Sequence, residues 1–299
     1  MADDQVVRTL AFEYLNRLSE GGTRPVTWEA LSWFQVEGVR IPLVSQPGIF
    51  KPKVLDLPIS IRTTYRPPGE KRPYEDEIDE QGFLRYRYRG TDPQHRDNVL
   101  LRRAMEQGVT LIYLEGVAQG MYLPHGAAII EDHPGDLTFG VQLLPIDATA
   151  VGMVNVTILD ATTRRYYMRL VKQRTTQAAF REHVLAAYRN RCTFCRLGHR
   201  ELLDAAHIIP DAAGGKPVVT NGMSMCKIHH AAYDANIVGV RPDYVAEVRE
   251  DVLHEADGPM LRHGLQQLHG SRIHVPRSEQ KRPSVEALER RYEEFRAAG

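Results

Sequence analysis

All three cysteines of this 299-residue chain lie between positions 192 and 226, and they fall into two short pairings. Cys192-Thr-Phe-Cys195 sets two thiols across a two-residue gap, and Cys226-Lys-Ile-His229 sets a thiol and an imidazole across another. Such a gap lets both side chains of a pair turn toward one ion, and four sulfur and nitrogen donors complete a tetrahedral site. Cys192, Cys195, Cys226 and His229 are therefore expected to hold a structural Zn2+. Two blander arrangements use the same residues: a buried thiol pair beside an unrelated surface histidine, or a redox-active pair. A redox pair should open a helix after a strand, whereas "YRNRCTFCRLGHRELL" reads as a helix end and then a turn. A secreted disulfide framework would use an even number of cysteines spread along the chain.

The thirty residues between the pairings exceed the usual finger spacing, so something of functional size sits there. They contain "DAAHIIP" (204–210), a Gly-Gly turn and "TNGMSMC" (220–226), and His230 follows the second pairing directly. Over roughly 180–245 the chain resembles the HNH endonuclease family, in the form "AAHIIP … NG … LC..HH..[FY]D". The resemblance implies a ββα-metal fold, two strands and a helix around one catalytic divalent ion, with a separate structural zinc in many members. Carried over by position, His207 matches the general base that activates water. Asn221 matches the middle residue, which orients that histidine or holds the ribbon, and His230 matches a ligand of the catalytic ion. These types suit phosphodiester hydrolysis, which needs a base of near-neutral pKa and a cation such as Mg2+ or Mn2+ on the developing charge. The chain departs from the pattern at Ala206, where many members carry a second metal ligand. Asp234, four residues after His230 and on the same helical face, is the expected substitute, and Asp204 the second choice. His183, His199, His254, His263, His269 and His274 have no motif partner.

Upstream the text changes character. Residues 3–20 carry helical spacing, with Val6, Leu10, Tyr14 and Leu18 on one stripe and Gly21-Gly22 after it. A short helix is expected over "TWEALSWF" and another near 97–107. Otherwise, from 38 to about 160, short β-prone runs alternate with Pro, Gly and Asp turns, which suggests a curled, mostly antiparallel sheet or small barrel. The expected class is α+β. The domains are 1–160, a helical linker over 161–180, and 181–299, the last ending in helices from Ser284 onward.

Within the first domain, "PYEDEIDEQGFLRYRYRGTDPQHRDNVLLRRAMEQGVTLIYLEGV" resembles the core of SRA and related PUA-like domains, with their "Y-D-D-x-D-x-G … Y-x-G … N-x-x-L" pattern. The glycine-rich blocks that open such domains are not visible; "GIFKP" and "SIRTTY" stand there instead. The resemblance implies a pocket for a flipped, modified cytosine. Reading an extruded base takes aromatic stacking and hydrogen bonds to its polar edge, and Tyr65, Tyr74, Asp76, Tyr86 and Tyr88 supply those types. Period-two alternation puts Phe83, Arg85, Arg87 and Arg89 on one strand face and Leu84, Tyr86 and Tyr88 on the other. Arg87 and Arg89 could then meet phosphate. The plainer alternative makes the tyrosines core and the acidic run a solvated loop.

Lys and Arg (38) balance Asp and Glu (38), which argues against a generic polyanion binder. The signs are uneven, however: residues 162–192 carry many cations and only one carboxylate, Glu182, so a neutral total can hide a basic face. No run of eighteen apolar residues and no signal peptide are visible, so a cytoplasmic protein without membrane spans is expected. Together these readings imply a modification-dependent restriction endonuclease acting on double-stranded DNA. Cutting both strands with one site would require a homodimer or sequential nicking. The rivals are an HNH effector of another antiphage system, whose first domain senses a nucleotide or partner, and a catalytically inactive, zinc-stabilised DNA-binding module.

Overall fold

The computed structural model describes residues 3–65, 78–147 and 158–298. The chain divides into two compact units, Met1–Ala178 and Ala179–Gly299.

In the first unit Asp3 caps helix α1 (Asp4–Leu18) by accepting from the Gln5 amide. Its buried face is Val7, Ala11, Phe12 and Leu15, while Val6, Leu10 and Leu18 are exposed. The expected stripe was thus one residue out of phase. Two i, i+4 stripes overlap in this helix, and the one with the small Ala11 and the bulky Phe12 faces the core. After β1 (Val26–Thr27), α2 (Trp28–Ser32), β2 (Gln35–Val36), β3 (Val39–Arg40), β4 (Ile49–Phe50) and β5 (Ser60–Arg62) come β6 (Leu84–Arg87) and α3 (Arg96–Glu106). Then follow the long strands β7 (Leu111–Ala118), β8 (Met121–His133) and β9 (Thr138–Leu144). The main sheet runs β4-β5-β7-β8-β9-β6, with β1 added beside the start of β8. Its pairings are antiparallel except β5 with β7.

Register shifts in β7 at Gly116/Ala118 and in β8 at Ile129/Glu131 are the kind of irregularity that increases twist, and the sheet is curled. It is apolar on both faces: Leu111 and Tyr113 of β7 join one core cluster, and Ile112 and Leu114 join the other. Alternation holds over Leu84–Tyr88, where Leu84, Tyr86 and Tyr88 are buried and Arg87 is exposed. Phe83, expected with the arginines, is buried instead, with the Arg164 guanidinium 4.0 Å above its ring. It precedes the strand, so the alternation does not bind it.

The division between units falls inside α4 (Ala161–Ala187). The second unit has its own core, from Phe180 to Leu288. It holds the hairpin β10 (Leu203–His207) and β11 (Gly222–Cys226), helix α5 (Lys227–Asp234), and a second hairpin of β12 (Val238–Val240) and β13 (Ala246–Val248). Short helices α6 (Glu250–Leu253) and α7 (Pro259–Gly264) lead to α8 (Val285–Ala297), capped by Ser284.

Candidate functional site

β10, β11 and α5 form a continuous ββα ribbon, with His207 opposite Gly222 at one end and Leu203 opposite Cys226 at the other. The cysteines gather at the second end. The donor atoms of Cys192, Cys195, Cys226 and His229 all lie within 4.8 Å of one another, so the four could hold one metal ion. His229 Nδ1 lies 3.4 Å from Cys192 Sγ and 3.2 Å from Cys226 Sγ. Its Nε2 lies 2.7 Å from the Gly264 carbonyl, and donation there fixes the tautomer that turns the Nδ1 lone pair to the sulfurs. Hydrogen bonds from Cys192 and Cys195 push the Cys226 thiol down, and Cys226 is also the N-cap of α5, where the helix dipole favours a thiolate. A crowded Cys3His set with a low-pKa sulfur fits Zn2+.

At the first end of the ribbon, His207 and His230 line one cleft of about 460 Å3, together with Pro210, Asp211, Asp234 and Arg291. The His207 ring stacks on Phe180, with centroids 4.1 Å apart and planes 15° from parallel. Gly222 makes room for this: a Cβ there would come within 2.5 Å of Val184 and 2.7 Å of Phe180. Of the ring's two nitrogens, Nε2 is closed off from solvent without a hydrogen-bond partner, 3.7 Å from Asp211 Oδ1. Burial holds the His207 pKa below the ordinary imidazole value; Asp211 opposes that shift and His230 adds to it.

His230 stands between two carboxylates, with Nδ1 3.5 Å from Asp204 Oδ2 and Nε2 3.4 Å from Asp234 Oδ2. Two ligands of a small octahedral cation, each about 2.1 Å from it, lie about 3 Å apart. The Nε2–Asp234 pair therefore fits one divalent ion, while Asp204 sits where a carboxylate would orient the ring through Nδ1. Ala206 is fully buried opposite Met223 and offers no ligand. Asp204 shares its strand face by the two-residue period, so both of the expected substitutes flank His230.

Asn221 does not touch His207. Its Oδ1 accepts from Ile209 N at 2.9 Å, and its Nδ2 donates to the Ile209 carbonyl at 2.9 Å and the Lys216 carbonyl at 3.0 Å. Of the two expected tasks, it performs the fastening one. It ties down the loop after β10, where Gly215 passes so close that a Cβ would come within 1.8 Å of Ile209 O. Asn221→Ala would take away the side-chain partner of two buried backbone groups, the Ile209 N–H and the Ile209 carbonyl. It should destabilise the second unit by about 1–3 kcal/mol in chemical denaturation; unchanged stability would mean that the loop is held some other way.

Sequence reasoning missed Phe180, Asp211 and Arg291. Asp211 had a signal, four residues after His207. Arg291 had none, because α8 brings it from far along the chain: its Nη1 donates to Asn236 Oδ1 at 2.5 Å and its Nη2 to the Tyr233 carbonyl at 2.7 Å.

The residues expected to read a base are less converged. Tyr74 and Asp76 lie outside the described residues. Tyr86 is buried in the sheet core and donates to the Gly48 carbonyl at 3.2 Å. Tyr88 is buried with its hydroxyl on Asp132, which also pairs with Arg102. Arg89 pairs with Asp97, Arg87 is exposed, and Tyr65 is half-buried beside Gly116. No helix among the described residues is long and apolar enough to cross a membrane.

A family model described as HNH endonuclease matches residues 192–241. No curated protein sequence matches the chain. Among solved structures, the chain is similar to the modification-dependent TagI restriction endonuclease, at 14% identity over 80% of this chain and 81% of that one, with a TM-score of 0.32. It is also similar to the Type IV phosphorothioation-dependent restriction endonuclease ScoMcrA, at 14% identity over 74% of this chain and 57% of that one, with a TM-score of 0.22. The family match spans both cysteine pairings, His207, Asn221, His230 and Asp234: the chain carries an HNH endonuclease domain over residues 192–241.

Proposed function

We propose that this protein is a metal-dependent, modification-dependent DNA endonuclease of the cytoplasm. In this reading the second unit cuts double-stranded DNA and the first unit, SRA/PUA-like, reads a modified cytosine. The observation that carries the hydrolytic half is the cleft that joins a half-buried imidazole, His207, to a second imidazole flanked by carboxylates, His230. Zn2+ on the Cys3His set serves as a structural clamp for the ribbon, and a reducing compartment keeps those thiols free to ligate.

A divalent ion such as Mg2+ or Mn2+, held by His230 and Asp234, would supply positive charge for the oxygen that leaves the phosphodiester. The remaining work belongs to side chains. Nε2 of His207 carries the ring proton toward Asp211, which leaves Nδ1 to take a proton from the attacking water. The lowered pKa keeps that nitrogen free at neutral pH, and Asp211 then stabilises the imidazolium. Phe180 fixes the ring plane. Arg291, buried and held by Asn236 and the Tyr233 carbonyl with Glu294 beside it, braces the cleft wall. Asn221 acts at one remove by holding the loop that carries Pro210 and Asp211. Severing both strands from one cleft takes two copies of the chain or two successive nicks.

The reader half rests on the sequence pattern over 74–117 and on the curled sheet of the first unit. Digestion of one plasmid prepared with cytosine, methylcytosine or hydroxymethylcytosine tests it. Cutting is expected on at least one modified form and not on the plain one. Equal cutting of all three would remove the reader while leaving the nuclease.

A further inference from the structure

The second unit contains another concavity, of about 280 Å3, that none of the chemistry above uses. It lies beside the first cysteine pairing. Arg189, Arg191, Arg196 and Arg277 stand around it with His274, over an apolar floor that includes Ile273 and Pro276. No carboxylate is among its lining residues. Arg191 donates to the Arg196 carbonyl at 3.3 Å, and among the described residues none of the four guanidiniums is in an ion pair. Burial and the neighbouring Arg196 hold His274 below the ordinary imidazole pKa, so the positive charge there comes from the arginines. In a chain whose cations and anions balance at 38 each, four unpaired arginines in one place are not a consequence of composition.

The backbone is built to put them there. Arg189, Asn190 and Arg196 have φ of 56°, 52° and 63°, in the left-handed region that long side chains rarely adopt. Arg189 and Asn190 end α4, with Asn190 N on the Leu185 carbonyl at 2.7 Å, where glycine is the usual residue. Glycine would end the helix without strain but would leave no cation at the rim. The strap that carries His274 and Arg277 is fixed across the cysteine loop: His274 N donates to the Thr193 carbonyl at 2.8 Å, and Thr193 Oγ1 donates to the His274 carbonyl at 2.7 Å. Planar, unpaired guanidiniums in a preformed pocket match phosphate oxygens.

We infer that this arginine pocket is a second phosphate-binding site of the nuclease unit, which grips the backbone of the DNA duplex away from the cleft where the bond is cut. The inference rests on the reading of the protein as a DNA nuclease, and it would make affinity for DNA independent of the base being read. Each phosphate neutralised should contribute about 0.9 to the slope of log K against log salt.

The test is equilibrium binding of the full chain to a short unmodified labelled duplex, over a range of salt and without added divalent ion. The comparison is between wild type and Arg196→Gln/Arg277→Gln. The double variant should bind about tenfold more weakly at low salt, with a slope smaller by about 2. A control of equal charge, Arg262→Gln/Arg296→Gln, should leave the slope nearly as it is. If Arg196→Gln disturbs the adjoining cysteine loop, seen as lost zinc, Arg189→Gln/Arg277→Gln carries the test. Affinity and slope equal to wild type in the zinc-retaining variant overturn the inference. In that event, inorganic phosphate that protects wild type but not the variant against heat would reassign the pocket to a free phosphate. Nicking is scored separately: a reduced slope in a protein that never cuts DNA keeps the pocket and removes the nuclease, and an unchanged slope in one that cuts does the reverse.

Discussion

Cys226→Ser is expected to unfold residues 179–299 and to leave the protein without bound zinc. Structural Zn2+ contributes about 10–16 kcal/mol of apparent binding free energy in small Cys/His domains at neutral pH, whereas a whole domain is stable by only about 5–15 kcal/mol. Cys226 does more than ligate. It ends β11, opens α5 and shares His229 with Cys192. Serine keeps the size but cannot supply a low-pKa sulfur. Elemental analysis of wild type after dialysis against EDTA should find about one zinc per chain, because Cys-rich sites bind strongly. Limited proteolysis of the variant should open the second unit and spare the first, which has its own core. A variant that stays protected over 179–299 with no metal would show that the ribbon folds without the clamp.

His207→Ala should lower the rate of plasmid nicking by about two to four orders of magnitude, the range that positioned general bases contribute. It should do so without loss of DNA binding. The pH dependence has a definite sign. A base works in its neutral form, and partial burial, with Phe180 stacked on the ring, holds the His207 pKa below the ordinary imidazole value. Nicking should therefore hold its rate down through pH 6.5 and fall only as the pH drops through the lowered pKa. Phe180→Leu should open the ring to water and move that acid limb upward. An acid limb unmoved by Phe180→Leu would assign the titration to another group.

The ribbon and the Cys3His cluster were legible because their information is local. Two-residue gaps bring Cys192 to Cys195 and Cys226 to His229, and the hairpin then needs only to close. That Asp234 lies beside His230 was legible for the same reason, since one helical turn separates them. What could not be read comes from packing between distant segments. Phe180 reaches His207 from α4, and Arg291 reaches the cleft from α8. Asn221 carries the expected residue type, but its partners, Ile209 and Lys216, depend on a loop path that no spacing reveals. In α1 two apolar stripes compete and only burial decides between them. Tyr86 and Tyr88 show the limit of period-two reasoning: it separated them from Arg87 correctly, but it could not say whether the tyrosine face meets a base or a core, and both pack inward.

The most direct measurement is conversion of supercoiled plasmid by the full chain on addition of Mg2+ or Mn2+. Methylated, hydroxymethylated and plain DNA are run in parallel with His207→Ala as the comparison. Nicked or linear DNA that depends on the added ion, appears on a modified substrate and is lost in His207→Ala is the predicted result. Wild type and His207→Ala equally inert on all three DNAs, with zinc bound and the second unit folded, would contradict it.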